Sequence, residues 1–308
     1  MRKIIITSLT LLGFALSASR SVASDRPQTP NGFDPLNYLP PGAKIKNKDK
    51  DVISADLIGD GTKETIIFYA VGEDPNDHRA NIVVLRPRRG GYETWWEDSV
   101  EGSWGFGFPT GVYDLNKTGR PQIVAYRTIG ASCPGVLDVF EYFDGGIQQT
   151  FAHNGHCQSV EIKDLDGDGV PEIIVRTAIY GVNQDIYRWD ERKYVLSNGR
   201  YPQYYDAVLE GLLKGFSSEV IAASGRLQLA NQIVGIFIIQ RRFEEAVTFC
   251  RELLKTIQNP ALTTPDRPQD QAKAAIYRLL GDTYQAEGNA QKAGRYYGRA
   301  DAFTPSKR

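Results

Sequence analysis

Histidine is scarce in this 308-residue chain, which holds three of them among 36 lysines and arginines and 37 acids. So few imidazoles leave little material for acid–base catalysis by histidine, and no pair stands at the spacing of a metalloprotease helix. There is no nucleophile elbow and no glycine loop of the kind that cradles phosphate. An excess of one charge is missing too. A formal net charge of −1 gives no reason to expect nucleic acid or an anionic membrane surface as partner. Beyond the N-terminus there is no long hydrophobic run. The longest, Ile233 to Ile239, falls well short of the ~20 residues that span a bilayer.

The N-terminus is the apolar part. Arg2 and Lys3 precede the apolar stretch Ile4 to Leu16, and Ser21-Val22-Ala23 supplies small residues at a cleavage position, so residues 1–23 have the form of a secretory signal. No cysteine follows that position, which argues against a lipid anchor. An exported protein, periplasmic or extracellular, is expected, with a proline-rich segment over 24–50 and length enough for two domains. Three cysteines in an exported chain leave one over. Cys133 and Cys157 lie at the two ends of one predicted hairpin and are expected to pair, with Cys250 on the buried face of a predicted helix. His153 and His156 lie close by and keep a transition-metal site with Cys133 and Cys157 open, although the spacing fits no standard zinc module.

What the chain has in abundance is acid at regular spacing. Asp164, Asp166, Asp168 and Glu172 alternate with Gly167 and Gly169 and lead straight into Ile173-Ile174-Val175. Hard cations take six to eight oxygens, which these carboxylates and the Val170 carbonyl could supply. The apolar run after Glu172 is short and β-branched, a strand and not the second helix of an EF-hand. Asp56, Asp60 and Glu64 repeat the frame before Thr65 to Phe68, with Ile58 in one ligand position. Asp114, Asn116, Thr118 and Gln122 repeat it before Ile123 to Ala125, with Lys117 inside the loop, which argues against a cation there. After each loop come a strand-like run, a turn and another strand: 81–85 and 92–96, 136–143 and 147–151, 185–189 and 194–196. The simpler reading of all three loops is a set of turns whose acids bond their own backbone.

Loop, strand and hairpin in this order resemble the FG-GAP or VCBS repeat of the integrin-alpha type, over residues 51–200. The resemblance implies propeller-blade-like sheets and calcium as the cofactor, held by Asp164, Asp166, Asp168, Val170 and Glu172. Asp56, Asp60 and Glu64 would form a poorer second site. Propellers have about four to eight blades, so three such units imply a partial or atypical one.

From about residue 201 the apolar period becomes helical. Tyr277, Leu280, Gly281, Tyr284, Gly288, Ala293, Tyr297, Ala300 and Pro305 keep the spacing of a tetratricopeptide repeat over 274–307. Residues 227–260 fit the same frame, with Ala246, Phe237, Cys250 and Pro260 in its positions, and a further helix is expected near Tyr204 to Phe216. That resemblance implies a groove lined by Asn231, Arg278, Asp282 and Gln285 that takes a protein or peptide. The fold class expected is therefore a β domain of about three blade-like repeats followed by an α-helical, tetratricopeptide-like domain over 201–308. Two functions compete: a calcium-stiffened scaffold that binds a peptide, and a carbohydrate-binding β module using Tyr92, Trp95, Trp96, Trp104, Phe106 and Phe108. An envelope hydrolase is a third class, with no catalytic constellation to carry it.

Overall fold

The computed structural model describes residues 33–72, 78–129, 134–156, 158–177, 184–218, 223–257 and 269–303. Contacts divide the chain into Met1–Asp34 and Pro35–Arg308, and the described helices and strands all belong to the second unit. The signal segment, Cys133 and Cys157 lie outside the described residues.

A short helix, α1 (Lys48–Asp51), is capped by Asn47, whose side chain accepts the Asp49 N–H. It leads into three antiparallel sheets. The first runs in chain order through β1 (Val52–Ala55), β2 (Glu64–Val71), β3 (Arg79–Arg88) and β4 (Gly91–Glu101). The second contains β5 (Ser103–Phe106), β6 (Gly111–Tyr113), β7 (Gln122–Ile129), β8 (Pro134–Phe143) and β9 (Gly146–His156), with β5 and β6 both paired to β7. The third is β10 (Gln158–Lys163), β11 (Glu172–Thr177), β12 (Gln184–Asp190) and β13 (Lys193–Leu196). Tight turns set the hairpin registers. Phe143 pairs with Gly146, so Asp144 and Gly145 form a two-residue loop, both at positive φ, the backbone that matches the strand twist.

The β-branched runs of β2, β7 and β11 form the centres of these sheets because both of their faces are covered. Side chains alternate along a strand, and the core follows that alternation. Ile66 and Phe68 of β2 meet Ile123 and Ala125 of β7. Val124, between them in sequence, faces the other way and meets Ile173 and Val175 of β11. Ile174 in turn faces the helices. The sheets therefore stack in chain order, with the helices on the far side of the third.

The helices are α2 (Pro202–Phe216), α3 (Ala223–Ile239), α4 (Phe243–Thr256), α5 (Gln269–Ala286) and α6 (Ala290–Ala302). Pro202 opens α2 at a position where a missing N–H costs nothing. Gly288 at positive φ ends the turn before α6, and Asn289 caps that helix by accepting the Lys292 N–H at 3.1 Å. Ile174 and Ile186 share one buried cluster with Tyr201, Tyr205 and Leu209 of the first helical turns and with Ile233, Phe237, Val247 and Ile276. The expected β region followed by a helical region is present.

Three elements differ from expectation. β1, β6 and β10 precede their acidic loops, whereas the sequence pattern places the start of each unit at the loop. Each is short, and β10 (Gln-Ser-Val-Glu-Ile-Lys) alternates polar with apolar, so it carries no continuous hydrophobic signal. The hairpin strands also run longer than the apolar stretches suggest, because their ends are solvated. Part of the proline-rich segment joins the first sheet, where Lys44 and Ala70 exchange backbone hydrogen bonds of 2.8 and 3.0 Å.

Candidate cation-binding loops

All three acidic loops close the same way, and the closure accounts for their sequence frame. The first aspartate folds both carboxylate oxygens over backbone N–H groups. Asp164 accepts from Gly167 at 2.8 Å and Gly169 at 2.9 Å, Asp56 from Gly59 at 2.6 Å and Gly61 at 2.8 Å, and Asp114 from Thr118 at 3.1 Å and Gly119 at 3.0 Å. The ninth residue reaches back to the N–H of the second. Glu172 accepts from Leu165 at 2.8 Å, Glu64 from Leu57 at 3.0 Å and Gln122 from Leu115 at 2.7 Å, and all three acceptors are fully buried. The fourth residue takes positive φ, which glycine adopts freely at Gly59 and Gly167 and which Lys117 adopts in the second loop. The self-bonded turn is therefore real in every loop.

The loops differ in their charge. In the third, ligand oxygens of Asp164, Asp166 and Glu172 lie within 4.8 Å of one another, which suits a hard cation and is the only such grouping of three among the described residues. Asp168 departs from the expected ligand set: its carboxylate pairs with Arg188 and also accepts the Val170 N–H at 2.8 Å. That N–H, and then Arg188, hold Asp168 below the usual carboxylate range. Arg188 also reaches Asp166 at 3.5 Å and Glu172 at 3.9 Å. Burial pushes Glu172 above the usual range, against the Leu165 and Tyr201 hydrogen bonds.

In the first loop Arg86 pairs with Asp60 at 2.9 Å and lies 3.8 Å from Oε1 of Glu64, an oxygen with no hydrogen-bond partner among the described residues. Asp56, Asp60 and Glu64 do not converge as the third loop's acids do. In the second loop Lys117 does not neutralise its own acids: its ammonium donates to the Asp168 carbonyl at 2.7 Å, bridging to the third loop.

Sequence reasoning misses the link between the third loop and the helices. The Tyr201 hydroxyl, at the N-cap of α2, donates to Glu172 at 2.7 Å, and Arg200 lies 3.3 Å from Asp166. Arg176 donates to the Tyr204 hydroxyl, which in turn donates to Gln184 at 2.8 Å. The one signal in the sequence is the tyrosine cluster around Pro202, which borders both regions.

Among the proposed groove residues, Arg278, Asp282 and Gln285 lie on the exposed side of α5, and Asn231 is half-buried on α3. Arg278 approaches Asp301 of α6 at 4.0 Å, and Asp282 accepts the Tyr297 hydroxyl at 2.9 Å. Of the aromatic cluster, Trp95, Trp96 and Phe106 pack edge-on or tilted against Tyr142, Phe140 and Phe68, and Tyr92 meets Tyr38. Trp104 and Phe108 stay 49% and 79% exposed. His153 packs on the Tyr187 ring. Comparison with known proteins adds no relative: no family model and no curated protein matches this chain.

Proposed function

We propose that this chain is an exported calcium-binding scaffold. Its sheets are blade-like repeats of the FG-GAP type, and its helices form a tetratricopeptide-like array that takes up a protein or peptide. The observation that carries the reading is the junction at the third loop, where Asp166 and Glu172 bond Arg200 and Tyr201 at the first turn of the helical region. Calcium held by Asp164, Asp166 and Glu172 would neutralise a cluster whose acids outnumber Arg188 and Arg200. It would thereby stiffen the platform from which α2 to α6 extend. The exposed residues Arg278, Asp282 and Gln285, one helical face of α5, are the contact surface in this proposal.

The test is capture from an envelope extract by the full chain in calcium. The reading predicts a protein bound by the wild type and lost from the triple variant Arg278→Ala, Asp282→Ala, Gln285→Ala. Equal capture by both would remove the groove from the account.

The exposed Trp104 and Phe108 favour a second reading, in which the second sheet stacks against sugar rings. Glycan binding abolished by Trp104→Ala and Phe108→Ala, with the groove variant unaffected, would replace the first reading with this one.

A further inference from the structure

The second repeat breaks a rule that the other two obey. Arg86 on β3 and Arg188 on β12 stand opposite the buried Glu64 and Glu172, one step beyond the pairs Thr65↔Leu85 and Ile173↔Tyr187. The same step beyond Ile123↔Phe140 puts Glu141 on β8 opposite Gln122. A carboxylate thus stands where the neighbouring repeats place a guanidinium, and it is only 7% exposed. Its hydrogen-bond donors are two neutral amides, Asn116 Nδ2 at 2.7 Å and Gln122 Nε2 at 3.4 Å. No cationic side chain pairs with it among the described residues. The loop's own cations point elsewhere: Lys117 to the Asp168 carbonyl, and the Arg120 side chain to where a Cβ on Gly59 would stand. A buried carboxylate without a counter-charge is costly, so the arrangement is electrostatically incomplete.

A second feature lies on the same side of the second sheet. Val139, two residues before Glu141 on β8, and Tyr194 of β13 belong to one buried cluster, whereas Phe140, between Val139 and Glu141, faces the first sheet. Tyr194 of β13 is 9% exposed, and its hydroxyl is buried with no hydrogen-bond partner among the described residues. Its ring belongs to the apolar cluster that contains Leu115, the residue between Asp114 and Asn116. Burial first, and then the charges of Glu141 and Asp114, push its ionisation far above the ordinary phenol value. Buried tyrosine hydroxyls ordinarily find a partner.

We propose that Glu141, Asp114 and the Tyr194 oxygen form a hard divalent-cation site between the second and third repeats, with Asn116 positioning Glu141. All three donors are oxygens and the two carboxylates balance a 2+ charge, which suits calcium or magnesium with waters completing the shell. No sulfur or imidazole takes part, so zinc and copper fit poorly. The cation does in this repeat what Arg86 and Arg188 do in the others. The site shares no residue with the third loop, so it stands apart from the function proposed above.

Calcium titration calorimetry and terbium luminescence excited through tyrosine, both on the full chain, test the site. In the Asp166→Asn, Asp168→Asn variant, which disables the third loop, one calcium should still bind. Adding Glu141→Gln removes a ligand and should weaken that binding at least as much as the loss of a group that merely orients one, about ten- to a hundredfold. Tyr194→Phe removes only an unpartnered hydroxyl and should weaken it while the protein still melts cooperatively, which covers the case in which Glu141→Gln fails to fold. Unchanged binding in both Glu141→Gln and Tyr194→Phe would overturn the proposal, as would no residual calcium in the loop-three variant, which would mean that a water alone fills the gap. Loss of a site with Glu141→Gln but none with Asp166→Asn, Asp168→Asn would sink the third-loop reading and leave this one standing.

Discussion

Replacing Gly281 by alanine should destabilise the protein, although alanine is the better helix former. Gly281 lies inside α5, where a Cβ would sit 2.6 Å from Cδ1 of Tyr297 on α6 and closer still to its Cε1. The ring cannot swing away freely, because its hydroxyl donates to Asp282 at 2.9 Å. Alanine gains about 1 kcal/mol of helix propensity over glycine. Overpacking a tight contact costs about 1–3 kcal/mol. The two nearly balance at the low end and leave a loss of about 2 kcal/mol at the high end. The background decides the sign. In Tyr297→Ala the clash is gone, and Gly281→Ala should then stabilise by about 1 kcal/mol. Urea unfolding of the four proteins, compared at a common m-value, reads both effects and their coupling. If Gly281→Ala has the same effect in both backgrounds, within about 0.5 kcal/mol, α5 and α6 do not pack through this glycine.

Arg127, 1% exposed, donates to Asp98 and to Asp138, the latter at 2.6 Å, so Arg127→Met strands a buried carboxylate and should cost about 3–5 kcal/mol by calorimetry. A loss below about 1 kcal/mol would contradict that pairing. Burial, and then Asp282, push the Cys250 thiol up to about 12, so the native protein should resist thiol reagents. Unfolded without reductant, it should show one reactive thiol, because β8 and β9 are paired as far as Pro134↔His156, the residues adjoining Cys133 and Cys157. Closing a loop of ~25 residues is worth about 3 kcal/mol, and three thiols before reduction would rule the bridge out. Glu245 is held below the usual carboxylate range by its hydrogen bonds to Arg242. A depressed folded pKa gives stability that is complete above the unfolded value of about 4.3 and lost as pH falls through the folded one. Glu245→Gln should flatten the acid side of the melting-temperature profile by a few tenths of a kcal/mol, the pair being exposed and screened. An unaltered profile would discount the pair.

Local features are legible in the sequence and cross-strand ones are not. The spacing Asp, glycine, Glu marks the loops because each closes on itself within nine residues, and the helical hairpins follow from Gly281, Ala293 and Tyr297. Trp95 and Trp96, neighbours in sequence, both pack on β8, against Tyr142 and Phe140, because β4 bulges at Trp95, which strand alternation does not predict. Arg86, Glu141 and Arg188 carry no signal of their own because their roles depend on register, which pairs residues roughly 20 positions apart and is not set by any local pattern. Lys117 misleads for the same reason: its position in the chain is inside the second loop, but its ammonium serves the third. The link from Tyr201 to Glu172 spans two regions with different periods, and neither period predicts it.

Calcium at the third loop is the claim on which the proposed function rests, and melting with and without chelator measures it most directly. The Glu141→Gln protein serves as the starting point, so that the second repeat contributes less. At free calcium of 100 times the dissociation constant, binding to the folded state alone adds about 2.7 kcal/mol, which chelator should remove. Asp166→Asn, which withdraws one of the three converging carboxylates, should abolish most of that difference. If a preparation verified to contain calcium melts at the same temperature with and without chelator, or if Asp166→Asn leaves the difference intact, the third loop is a self-bonded turn and not a calcium site.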